Sequence, residues 1–306
     1  MMQALSSAVA GLDGEQTAMN VIGNNIANVN TTGFKSSSVD FTTLLSQVLS
    51  AGSAPVTTGS APATPVLGGT NPMVVGLGVG IGATTQNMAQ GPLQQTGNPL
   101  DVAIQGNGFL TLAGSQGTVY SRNGGLEIDA NGDLVQASTG ALVDGWQPPS
   151  PYYSDAATNP GWTATTTTAP APITIPQTIG SGATAQQISA VAIGSDGTIT
   201  ATYQGSSGTS TQAVVGQIAI GVFPNQNGLV SVSGTSYIIG PNSGAVTYSG
   251  AGTNGAGALA VGSLEQSNVD ISSELTNMIV AERSYQVDAK VITTADSMLQ
   301  SLIQIS

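Results

Sequence analysis

The sequence has no cysteine, no histidine and only 4 Lys and Arg in 306 residues. Each shortage excludes something. Without Cys or His there is no zinc site of the usual kind, and neither a Ser-His-Asp nor a Cys-His mechanism can run. Against 16 Asp and Glu, the four cations leave a net charge of −12. That provides no basic patch for a phosphate backbone, so no nucleic-acid partner is expected, and no cluster of Lys and Arg to hold anionic lipid. No apolar run reaches the roughly 18 residues of a membrane-spanning helix, so no membrane insertion is expected. The N-terminus lacks a basic segment, and Asp13 and Glu15 interrupt its apolar stretch, so a secretory signal peptide is not expected there. Aromatic residues are 4% of the chain, and the bulk of any core must come from Val, Ile, Leu and Ala.

Two segments carry helical periodicity, one at each end. Leu5, Leu12, Met19 and Ile26 are spaced by sevens, with Ala8, Ile22 and Val29 at the offset positions and Glu15 as the exception. The second pattern is stronger: Ile271, Met278, Tyr285, Ile292 and Leu299 repeat by seven without a break, widened by Leu275, Ala281, Ala289 and Ala295. A sustained apolar seam of this kind points to coiled-coil-like helices. Asp270 is placed to cap the second helix and Glu274 sits in its first turn, where the helix dipole favours negative charge. The helices are expected over about 3–28 and 270–304, roughly 40 and 50 Å long. Neither is stable with a bare apolar face, and their pairing with one another is the economical solution.

Between them the period changes to two. Val75, Leu77, Val79 and Ile81 alternate with glycines and predict a strand whose Gly face lies against another backbone. Turns at Gly106-Asn107-Gly108, Asn123-Gly124-Gly125, Asp129-Ala130-Asn131-Gly132 and Asp196-Gly197 separate further alternating runs and predict hairpins. Asp129, Asn131 and Asp133 fit the opening of a calcium loop, but Leu134 and Gly140 stand where Gly and Glu are needed, so a hairpin is the better reading. Residues 147–177 are rich in Pro and Thr and predict an extended linker or exposed loop. The expected class is α+β: long terminal helices paired as a coiled coil, an all-β middle domain and a small inserted outer β domain. The expected divisions are 1–32 with 268–306, 33–145 with 213–267, and 146–212.

A β-rich hydrolase with paired carboxylates is the enzymatic alternative, but of the acids only Asp101, Glu127 and Asp144 lie near strands. No enzyme activity and no cofactor or metal are expected. The motifs point elsewhere. Residues 20–41, with Asn24, Asn25, Asn28, Gly33, Phe34 and Lys35, resemble the signature of bacterial flagellar rod and hook proteins. Gly91-Pro92-Leu93 through Asn98, Leu100 to Ile104, Gly106 to Phe109, Tyr120 to Gly124, and Ser267 to Ile279 follow in the family's order.

The resemblance implies a structural subunit of the flagellar axis. It implies copies of the chain stacked in a helical tube, neighbouring rod, cap and junction proteins, and passage through the flagellar type III export apparatus. The expected self-assembly interface is Leu5, Leu12, Met19, Ile22, Ile26, Ile271, Leu275, Met278, Tyr285, Ile292 and Leu299. Phe41 and Leu45 match the short export gate motif of such proteins, but core packing is the role expected of them. Within the family, Gly68 to Val79 is closest to hook sequences, so a hook subunit is expected, with a distal rod subunit as the alternative.

Overall fold

The computed structural model describes residues 2–58, 64–114, 117–148, 169–180, 185–205, 210–233 and 235–305. Most of the expected linker, residues 149–168, lies outside them. The chain is α+β and gathers into two compact units.

The first unit comprises 1–26, 37–86 and 270–306. Helix α1 runs Met2–Ala27 and helix α2 runs Ile271–Ile305, within one or two residues of the expected bounds. Asp270 caps α2 as expected, its Oδ1 accepting from the N–H groups of Ser272 at 2.9 Å and Ser273 at 3.4 Å. The rest of this unit is a two-stranded antiparallel ribbon. Ser37–Thr43 pairs with Val79–Gln86, Ser46–Ser50 with Met73–Gly76, and Val56–Thr58 with Thr64–Leu67. The single strand expected across 75–81 is therefore two, broken where Gly78 takes a φ of 119° that other residues avoid. Of its glycines only Gly78 lies against another backbone, at the Cα of Ser7 on α1; Gly80 lies beside the Leu44 side chain, Gly82 beside that of Thr42, and Gly76 is open.

The second unit comprises 27–36 and 87–269. Its main sheet runs, in order, through Thr178–Ile179, Gln186–Ile193, Thr198–Gly205, Ser210–Ile218, Leu142–Trp146, Phe109–Gly114, Gly117–Ser121, Ser236–Ile238 and Val230–Ser233. The strands of 186–218 thus continue the same sheet as those of 109–146. Two expected hairpins form, Leu126–Ile128 with Leu134–Gln136 and Gln186–Ile193 with Thr198–Gly205. In the first, Asp129 Oδ1 accepts from the N–H groups of Asn131 and Asp133, both at 2.8 Å, the ordinary chemistry of an Asx turn. Two others do not form. Val102–Gln105 pairs with Ala258–Val261 instead of with the strand after Gly108. Gly117–Ser121 pairs with Phe109–Gly114 and Ser236–Ile238 rather than across 123–125.

The core of this unit is aliphatic, built on Ile104, Leu110, Leu112, Leu134, Ile173, Ile199, Val215 and Ile218, all at most 1% exposed. An aromatic cluster beside it joins Phe109, Tyr120, Phe223 and Tyr237, with Tyr120 edge-on to Phe223 at 4.8 Å between centroids. Burial pushes the Tyr237 phenol up to about 12 and Asp144 up to about 6. Asp144 Oδ1 has no hydrogen-bond partner among the described residues.

Candidate assembly surface

The motif residues that are scattered through the sequence meet in the second unit at one carboxylate. Glu265 is buried, and Lys35 Nζ donates to its Oε1 at 2.6 Å. Arg122 Nη1 donates to Oε2 at 3.3 Å, and the Gly91 N–H donates to Oε1 at 2.9 Å. Further donors reach backbone carbonyls, Lys35 that of Ala89 at 2.8 Å and Arg122 Nη2 that of Gly106 at 2.9 Å, while the buried Arg122 Nε has no partner among the described residues. The Arg122 guanidinium also lies 5.1 Å from the Phe109 ring centroid. Burial lowers the pKa of both cations, and the charge and hydrogen bonds of Glu265 oppose it. Gly33 sits in the same junction with φ 72°, its N–H donating to the Glu265 carbonyl at 2.8 Å. A methyl group there would come within 2.7 Å of the Asn123 nitrogen, so only glycine fits. Phe34, half-buried, donates its N–H to the Thr31 carbonyl at 3.3 Å, and Asn28 Oδ1 accepts from the Thr31 hydroxyl at 3.1 Å. Asn268 closes the junction, accepting from the Ser36 N–H and donating to the Asn87 and Ala89 carbonyls.

In the first unit, Asn25 is the one signature residue that is fully buried. Its Nδ2 donates to the Ser37 carbonyl at 2.8 Å and to Glu274 Oε1 at 2.9 Å, while its Oδ1 accepts from the Ser37 N–H. Asn24 is exposed on α1. Asn25 against Glu274, and Gly11 against Asp288, step along the two helices in opposite senses.

The apolar seam residues have mixed surroundings. Leu5, Leu12, Met19, Ile22, Ile26, Met278 and Ile292 are half-buried. Ile271, Leu275, Tyr285 and Leu299 are 36–47% exposed. Apart from Asn25, the most buried helical positions are small: Ala8, Gly14, Ala281 and Ala295. A second stripe was not anticipated from the sequence. Val280, Val287, Val291 and Met298 lie 38–62% exposed on α2. The signal for it was present, because a helix apolar on more than one face needs more than one partner surface. The ribbon is similarly bare: Phe41 is 44% exposed, Leu45 86%, Val48 60% and Met73 58%. Neither residue of the gate motif enters a core, and Phe41 lies against Gly14 of α1.

Three family models match consecutive parts of the chain. Residues 5–35 match the flagella basal body rod protein model, 103–201 the flagellar hook protein FlgE/F/G D1 domain, and 260–305 the flagellar basal body rod FlgEFG protein C-terminal region. Flagellar basal-body rod protein FlgG of Bacillus subtilis is 37% identical over 306 residues, covering 100% of this chain and 99% of that protein. The chain belongs to the flagellar basal-body rod and hook protein family. As a member of that family it is a component of the bacterial flagellum. FlgG of Caulobacter vibrioides is 34% identical over 99% of both chains. Flagellar hook protein FlgE of Treponema pallidum is 46% identical, but over 146 residues, 48% of this chain and 30% of that protein. The hook expectation gives way here, because rod relatives align end to end and hook relatives over half the chain.

Proposed function

We propose that the chain is a subunit of the distal part of the flagellar basal-body rod, polymerising with copies of itself into a helical tube. End-to-end similarity to rod proteins carries this reading. In it, 1–32 and 268–306 pair as an antiparallel coiled coil lining the tube, 33–145 with 213–267 form the shell, and 146–212 an outer insertion. The seam residues, from Leu5 to Ile26 on α1 and from Ile271 to Leu299 on α2, complete their burial against neighbouring copies. The Val280–Met298 stripe adds to that surface. Each fully buried Val or Met side chain is worth about 1.5–3 kcal/mol, so this stripe alone supplies several kcal/mol per contact. An interface whose two halves differ propagates as an open helix wherever its rotation does not close a ring. Hook, cap and junction proteins are the expected neighbours. Phe41 and Leu45, exposed on the ribbon, are accessible to the export apparatus before assembly.

Immunogold labelling of isolated hook–basal bodies, using antibody to this chain, tests the assignment. Label on the rod is expected. Label along the hook overturns it.

A further inference from the structure

Half-buried acids on α1 and α2 line one groove with no ion pair to either among the described residues. A methyl group at Gly11 would lie 2.5 Å from Asp288 Oδ2, which places this carboxylate against α1. Glu15, one turn further along α1, is raised above its ordinary pKa by burial and then by the charge of Asp288. Neither acid has a hydrogen-bond or ion-pair partner among the described residues; the ion pairs found there are the two at Glu265. The two carboxylates sit in an open groove whose other walls are Ile279, Val280, Arg283, Ser284 and Val287. Arg283 shares this groove, but its Nη1 donates to Gln286 at 3.3 Å. Two like charges held together in a partly desolvated seam destabilise the free chain, and a cation from outside reverses the sign of that interaction.

The chain itself restricts where that cation comes from. Lys35 and Arg122 are sealed against Glu265. Of the four cations, this leaves Arg283 and Lys290, seven residues apart on α2 and both exposed. Lys290 makes no side-chain hydrogen bond among the described residues and adjoins Val291 of the exposed stripe. Resting on the self-assembly reading, we propose that the groove docks the α2 helix of a second copy. That copy's Lys290 supplies the opposite charge to Glu15 and Asp288 while its Val291 covers the apolar walls. The acid pair thereby selects register along α2, because a one-turn slip moves the lysine off the carboxylates and leaves both buried without a counter-ion.

Melting of the monomer and the critical concentration for seeded polymerisation, measured on the full chain, test this with opposite signs. Glu15→Gln should raise the monomer melting temperature yet raise the critical concentration about tenfold. Lys290→Gln, on an exposed side chain, should leave melting unchanged and raise the critical concentration by a similar factor. The exchange pair Glu15→Lys with Lys290→Glu should return it to within about threefold of wild type. Single variants that polymerise at the wild-type concentration overturn the docking, as does an exchange pair that does not recover. Unchanged homopolymer with lost incorporation into flagella assigns the groove to another chain and also overturns it. Wild-type chain that never polymerises overturns the self-assembly reading itself, a distinguishable failure.

Discussion

The two units handle burial in opposite ways. In the β unit the large side chains are inside: Tyr120, Tyr203, Phe109 and the aliphatic core are at most 1% exposed, and two cations are sealed against one carboxylate. In the unit of helices and ribbon the buried positions are small or amide, namely Ala8, Asn25, Ala281 and Ala295, while Leu45, Val287 and Ile303 are left 62–86% exposed. The first has a core of its own. The second leaves its apolar surface bare, and the proposed assembly would cover it with other chains. A variant in one unit should therefore affect folding, and a variant in the other assembly.

The largest expected effect is on assembly. Met298→Asp places a charge on a side chain that is 52% exposed. Polymerisation followed by sedimentation should be lost, while monomer stability changes by less than about 0.5 kcal/mol. Comparable loss of monomer stability would show that the stripe is not a reserved surface. Next comes Glu265→Gln, which leaves Lys35 and Arg122 buried without their anion. Urea unfolding followed by tryptophan fluorescence should show about 3–5 kcal/mol lost, with Trp146 of the β unit as a buried reporter. A loss below 1 kcal/mol would mean that backbone carbonyls suffice for both cations.

Asp144 gives a pH test of the same core. Burial raises its pKa from 3.8 to about 6, so the folded state holds this proton more tightly than the unfolded chain. Its contribution is fully present below about pH 4 and is lost as pH rises through 6, a change of up to about 3 kcal/mol. Unfolding midpoints measured between pH 4 and 7 should fall with pH, and Asp144→Asn should flatten that slope. An identical slope in the variant would assign it to other groups. The smallest effect is expected from Asp270→Ala, which removes the α2 cap and should cost about 1 kcal/mol, read as lost helicity in circular dichroism.

Legibility in the sequence follows the range of the interaction. Both helices could be placed because heptad spacing and the Asp270 cap are local. The turns at 129–132 and 196–197 could be placed because an Asp side chain organises its own backbone. The runs at 102–105 and 117–121 were alternating as expected, but their partners at 258–261 and 236–238 are far along the chain, and a Gly-Asn-Gly turn does not encode them. The signature residues were identified without their roles. Lys35 and Arg122 stand in two separate motifs, Glu265 lies just outside a third, and only the fold brings them within hydrogen-bonding distance. The outer stripe of α2 escaped notice because the heptad seam already accounted for that helix's amphipathicity.

The bare stripe of α2 also makes a thermal claim. Removing apolar surface from water is driven by entropy near room temperature and weakens on cooling. Polymers held together through Val280, Val287, Val291 and Met298 should therefore grow on warming and shed subunits in the cold, with association accompanied by a drop in heat capacity.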